Sequence, residues 1–167
     1  MEKAREYLEL SKEESESVSR LTIHPHRVGL DCSFYERFTL RGIQVDRVEP
    51  GFVSCTFKIP PRFTDKNGSL ANGAIANLVD ELGGAVVQVD GLPMNVSVDM
   101  SISFLSTAKV NVRELHLAYM EELEITARVL GQRGGYSGTI VLVKNKATGE
   151  TIAEGRHSLF GRRPSKM

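Results

Sequence analysis

The chain reads as an α+β protein in which one long helix is wrapped by a curved antiparallel sheet. Apolar residues recur at the 3.6-residue period over one long stretch, from about Leu70 to Val89. On both sides of it the period falls to two, with turn residues between the runs. A single long helix with a broad apolar face needs a sheet to cover it, and a strongly twisted antiparallel sheet can curl round it.

The elements follow in order. Residues 2–20 are rich in Glu, Lys, Ala, Arg and Leu and lack Pro and Gly, so they favour a surface helix. Pro25 breaks that pattern, and Cys32 to Phe38 suggests a second short helix. Ile43, Val45 and Val48, the Pro50-Gly51 turn, then Phe52, Cys55, Phe57 and Ile59 spell a hairpin. Pro60-Pro61 ends it and opens a polar loop, Arg62 to Ser69. Gly91-Leu92-Pro93 closes the long helix. Strand patterns then cover Asn95 to Leu105, Val110 to Tyr119, Leu123 to Leu130, Thr139 to Val143 and Thr151 to Phe160. Glycine turns are expected at Gly131 to Gly135 and at Lys146 to Gly149. The expected organisation is an N-terminal helical arm over 1–38, one domain over 39–160, and a flexible tail over 161–167.

Bulk properties exclude several classes. The 167 residues suffice for one domain with a core, and 41% hydrophobic with 25% charged residues is ordinary for a globular chain. Zero formal net charge argues against a nucleic-acid groove. No apolar run approaches the length of a membrane span. Cys32 and Cys55 are too few for a disulfide framework or a zinc site, and a reducing compartment is expected. The acidic start, without an apolar core, is not that of a signal or transit peptide. The end, Ser165-Lys166-Met167, is close to the peroxisomal tripeptide S-K-L, so a peroxisomal import receptor is an expected partner, with the cytosol as the alternative.

The long helix carries the chemistry. Ala74, Ile75, Leu78, Val79, Leu82, Ala85, Val86 and Val89 share a broad apolar face. Gly73, Asn77, Asp80 and Gly84 form a narrow stripe opposite, small or polar, with one carboxylate at its centre. Glycines beside an acid leave room for something to approach; a solvated polar face is the plainer reading. Ser97, Asp99 and His157 do not make a nucleophile triad, since no G-x-S-x-G elbow exists. Asp99 is read as solvent-facing or paired across the sheet. His24, His26, His116 and His157 lack metal-ligand spacing, and His157 beside Arg156 is at most a phosphate neighbour. No metal is expected. The Gly131-Gln132-Arg133-Gly134-Gly135-Tyr136 turn offers bare N–H groups and one cation, a composition that suits a phosphate as well as a plain turn.

The run Gly73 to Asp80, the strand Ser97-Val98-Asp99-Met100-Ser101-Ile102, and the hairpin motifs Asn145 to Gly149 and Ile152 to His157 stand in a recognisable order. Over Gly42 to Phe160 the chain resembles small hotdog-fold acyl-CoA thioesterases of the phenylacetate-degradation and acyl-CoA thioesterase 13 type. The resemblance implies hydrolysis of an acyl-CoA thioester, with coenzyme A as part of the substrate and no separate cofactor. It implies Asp80 as general base or nucleophile, with the backbone amides of Asn72 and Gly73 as oxyanion donors. Ser97 would support substrate or water near the acid. The turn Gly131 to Tyr136 would contact CoA, and Phe104 and Phe160 align with positions lining that same site. It also implies a homodimer or homotetramer, with the acid of one subunit near the helix start of another.

The chain departs from that pattern in three places. The His-Gly of the family's turn is Ala71-Asn72 here, which keeps a backbone amide but not the imidazole. Asp65 stands where relatives carry an Asn that touches the thioester carbonyl, and Asn67 is the nearest substitute. The stretch Asn111 to Met120 is extra, and its alternation suggests a lengthened hairpin. The first two departures keep a second reading open, a hotdog protein that binds acyl-CoA or another ligand without hydrolysing it. A hotdog hydratase or dehydratase is the weaker third, since no His lies in the loop or helix.

Overall fold

The computed structural model describes residues 11–13, 16, 20, 33–89, 96–108, 110–111 and 119–161. The chain divides into two compact units, 1–38 and 39–167. Of the expected 2–20 helix only isolated positions are described. Lys12 and Arg20 lie 4.0 and 3.9 Å from Glu16, at helical i,i+4 spacing. Helix α1 spans Phe34–Leu40, against the expected Cys32 to Phe38, of which Cys32 lies outside the described residues. Ser33 explains the start: its amide donates to Glu36 and its hydroxyl accepts from the Glu36 amide at 3.5 Å, a reciprocal N-terminal cap.

The second unit holds β1 (Ile43–Glu49), β2 (Phe52–Lys58), a 3-10 turn (Pro61–Phe63) and α2 (Asn72–Gln88). They are followed by β3 (Val96–Phe104), β4 (Val110–Asn111), β5 (Tyr119–Met120), β6 (Glu122–Arg133), β7 (Tyr136–Asn145) and β8 (Thr151–Phe160). Six strands form one antiparallel sheet in the order β1-β2-β6-β7-β8-β3. The helix carries the chain from β2 to β3, the far edge, and packs across β6, β7 and β8 on the way. Register breaks at Val45/Arg47, Ser97/Asp99, Val129/Gly131 and Val143/Lys144 bend the strands and help the sheet curl. The short pair β4–β5 brackets residues 112–118, which lie outside the described residues.

The core lies between α2 and the concave face. Ile75, Leu78, Val79 and Val86 of α2 and Phe57, Leu123, Ile125, Val141, Val143 and Leu159 of the strands are all essentially inaccessible, and α2 packs on β6, β7 and β8. Burial at about 1.5–3 kcal/mol per large apolar side chain makes this layer the main source of stability. The buried helix face differs from the expected one: Ala85 is exposed, while Gly83 and Val87 are buried. The reason is proximity. A Cβ at Gly83 would fall 2.6 Å from His157 Nδ1, and one at Gly155 would fall 2.5 Å from Val79 Cγ1. Two glycines thus let helix and sheet approach closely. Cys55 of β2 is buried opposite Val45 and Ile125, and burial, aided by Asp46, pushes its thiol up to about 11. No described helix is long and apolar enough to cross a membrane, and no described cluster of His, Cys, Asp or Glu is arranged to hold a metal.

Candidate functional site

Asp80 sits on the α2 stripe, with Gly73 and Asn77 exposed and Asp80 and Gly84 half-buried. Two side chains converge on one of its oxygens. The Ser97 hydroxyl, at the start of edge strand β3, donates to Asp80 Oδ1 at 2.7 Å. The Nε2 of His157, on β8, lies 3.3 Å from the same oxygen. Among the described residues, both side-chain contacts of Asp80 fall on Oδ1.

His157 is therefore not a phosphate neighbour. Strand alternation decides this: His157 pairs with Thr139 and Met100, and shares parity with Gly155 and Leu159, the residues that meet α2. Its side chain is fully buried, and neither ring nitrogen has a well-aligned hydrogen bond. The Thr139 hydroxyl donates instead to the His157 carbonyl, at 3.3 Å. Burial lowers the imidazole pKa below its ordinary value, and the nearby charges of Asp80 and Asp99 only partly oppose this. The ring is thus neutral at neutral pH. The signal was present in the sequence as a histidine at core parity on the last strand, with glycine on the facing helix.

The loop before α2 is tightly built. Asp65 Oδ1 accepts the amides of Asn67 at 2.8 Å and Ser69 at 2.9 Å, and those bonds, Ser69's first, hold its carboxyl below the usual range. Asp65 and Asn67 are thereby engaged with each other in an exposed turn, closed by Gly68 at φ 73°. Leu70 and Ala71 donate to the carbonyls of Ala108 and Phe63, both at 2.8 Å, and aim the helix start. The first-turn amides of Asn72 and Gly73 have no upstream acceptor within the helix. Seven residues at 1.5 Å rise place Gly73 about 10 Å from Asp80 along α2.

The turn expected over Gly131 to Gly135 is tighter in the structure. β6 runs to Arg133 and β7 begins at Tyr136, leaving Gly134-Gly135 as the turn, with Gly134 at φ 62°. Gly131, Gln132, Arg133, Tyr136, Ser137, Gly138 and Ser158 line a shallow cavity of about 350 Å³. The Tyr136 and Phe160 rings meet at a tilt of 53°, with centres 4.9 Å apart. A Cβ at Gly135 would lie 2.7 Å from both Phe160 and the Gly161 carbonyl. Phe104 does not join this group within one chain. It pairs with Ala153, whereas Phe160 pairs with Val96, eight residues or about 26 Å along β3.

No protein-family model matches the chain. It is 38% identical to human acyl-coenzyme A thioesterase 13 over 110 residues, 65% of this chain and 72% of that protein. The chain belongs to the acyl-coenzyme A thioesterase 13 family. The zebrafish thioesterase superfamily member 2 structure superposes at a TM-score of 0.68, with 34% identity, covering 78% of this chain and 89% of that one. Thioesterase superfamily member 2 from Mus musculus gives 0.66 and 31%, covering 76% and 87%. The sheet curled round α2 is thus the hotdog fold of this thioesterase family.

Proposed function

We propose that this thioesterase-family chain hydrolyses acyl-CoA thioesters to free acid and coenzyme A, with Asp80 as general base on water or as nucleophile. The observation that carries the reading is the 2.7 Å bond from Ser97 to Asp80 Oδ1, which fixes a half-exposed carboxylate on a glycine-lined face. In the base route Asp80 Oδ2 takes a proton from water as its oxygen bonds to the thioester carbon. The oxyanion collapses, the C–S bond breaks, and the proton passes to the departing thiolate. Ser97 holds the acid.

The oxyanion donors are the Asn72 and Gly73 amides of a second copy, because about 10 Å separates them from Asp80 in one chain. Edge strand β3 suits that pairing. Val96, Val98, Met100 and Phe104 are exposed on it, and Leu105 follows. A homodimer or homotetramer is the expected assembly. The Gly131-to-Tyr136 turn and its cavity would take a CoA phosphate, with Arg133 as the cation. The departures at Ala71-Asn72 and Asp65 favour, as a second reading, a protein that binds acyl-CoA without hydrolysing it. Ser165-Lys166-Met167, outside the described residues, would direct the chain to peroxisomes, where acyl-CoA is metabolised.

Thiol release from a panel of acyl-CoAs separates the two readings. Asp80→Asn should lower turnover about 10²- to 10⁴-fold with folding retained. Wild-type turnover in that variant would refute the role of Asp80, and tight binding without turnover by the wild type would establish the second reading. In a single turnover in heavy-oxygen water, label in Asp80 would establish the nucleophile route with water attacking the aspartyl carbon of the anhydride, whereas the base route labels only the product acid. Sedimentation should show no species near 18.4 kDa. An N-terminally tagged chain should lose peroxisomal fluorescence when its last three residues are removed.

A further inference from the structure

We infer that His157 is the positioning residue of this site: its Nε2 braces Asp80 Oδ1 from beneath the sheet side, together with Ser97, so that Oδ2 alone faces the reacting water. The inference rests on the reading of Asp80 as the reacting carboxylate and adds the means by which it is held.

The geometry is specific. A half-exposed aspartate on a helix has several rotamers open to it, and one hydrogen bond from an edge-strand serine leaves it free to pivot about that bond. A second contact to the same oxygen, from a rigid buried ring, removes the pivot. The ring is itself over-determined. Thr139 and Met100 flank it in register on β7 and β3, and Gly83 of α2 leaves only the space the ring fills, since a Cβ there would come within 2.6 Å of Nδ1. The charged groups facing it are Asp80 from α2 and Asp99 from β3. A fully buried imidazole with both nitrogens short of well-aligned partners is costly to keep for packing alone. An isosteric apolar residue would satisfy the core better. Retaining histidine, and an interior helix glycine to house it, makes sense if Nε2 acts on Asp80.

Two amide substitutions separate the nitrogens. In His157→Gln the side-chain amide reaches the place of Nε2; in His157→Asn it reaches only that of Nδ1. Both keep a polar, neutral group in the core. We expect His157→Gln to retain kcat within about fivefold of wild type. His157→Asn should lose about 10- to 30-fold in kcat with KM within about twofold, the scale of losing a close polar contact to a charged group. Gly83→Ala should lose a similar amount although alanine favours the helix. In an Asp80→Asn background, His157→Asn should add no further loss. Equal kcat in the Gln and Asn variants, or multiplying losses in the double variant, would overturn the inference and leave Asp80 untouched. Full turnover by Asp80→Asn alone would instead refute the underlying reading. A readout independent of turnover is the His157 ring titration by NMR. The Asp80 charge supports imidazole protonation, so Asp80→Asn should lower that midpoint further. An unchanged midpoint would show that the two groups are not in contact and would overturn the inference.

Discussion

Gly155→Ala tests how closely α2 sits on the sheet. The added Cβ would lie 2.5 Å from Val79 Cγ1, 2.8 Å from Cγ2 and 3.2 Å from Cβ. Carbon atoms pack at about 3.5–4.0 Å, so helix and strand must part locally by about 1 Å. Neither side gives easily. Gly155 is hydrogen-bonded into β8 between Val141 and Ile102, and Val79 is fully buried. Overpacking of this kind costs about 1–3 kcal/mol, and alanine recovers about 0.5–1 kcal/mol of the entropy that glycine loses in a strand. The net loss is therefore about 1–2 kcal/mol. Urea unfolding should show a lower midpoint with an unchanged slope. Val79→Ala alone should cost about 2–3 kcal/mol through lost burial and a cavity. The new methyl partly fills that cavity, so the double variant should be more stable than the sum of the two losses by about 1 kcal/mol or more. An unchanged midpoint for Gly155→Ala, or strict additivity with Val79→Ala, would refute the close-contact account.

Other outcomes follow from the same structure. Ser97→Ala removes the 2.7 Å bond to Asp80 and should lower kcat about tenfold or more while KM stays near wild type, read from initial rates. Arg133→Ala should raise KM for acyl-CoA more than it lowers kcat, and the effect should shrink for an acyl-pantetheine substrate without the nucleotide phosphates. The folded imidazole of His157 protonates at lower pH than an unfolded one, so the unfolded chain binds more protons between the two values. Stability should therefore fall as pH drops through the ordinary histidine range, and urea midpoints of His157→Gln should lack that component. Asp65 has the opposite partner set: its lowered pKa stabilises the fold above the ordinary carboxylate range and ceases to do so as pH falls through the lowered value. Asp65→Ala should flatten that acid limb, measured by thermal unfolding across pH 2–5, a window set by the reference carboxylate value of about 3.9.

The helix and most strands were legible because their signals are local. The α2 period placed it at Leu70 to Val89 against the observed Asn72–Gln88, and alternation located β2, β3 and β8 within a residue or two. What was not legible depended on facing elements. Ala85 looked like core by its own hydropathy, but Gly83 is buried because His157 stands opposite it. The glycines at 131 to 135 looked like one long turn, whereas Gly131 lies within the ladder at a bulge and only two residues make the turn. Asp80 stood out on the helix stripe and Ser97 through the family resemblance, and the structure brings them into contact. His157 was passed over because its role depends on which side of β8 faces α2, a matter of register rather than of neighbours in sequence.

Cys55 gives the sheet an internal clock. At pH 8 a thiol displaced to about 11 is ionised in only about one molecule in a thousand, and its exposure in the folded state is 2%. Alkylation must therefore wait for β2 to separate from β1 or β6. With Cys32 replaced by serine, the rate at which a thiol reagent modifies the remaining cysteine measures how often that side of the barrel-like wrap opens. When reclosing outruns modification, the rate gives the free energy of opening; when reagent is concentrated enough to win, it gives the opening rate itself. Comparing that rate with turnover would tell whether β1 and β2 stay closed while substrate enters and product leaves, using a residue that takes no part in the proposed chemistry.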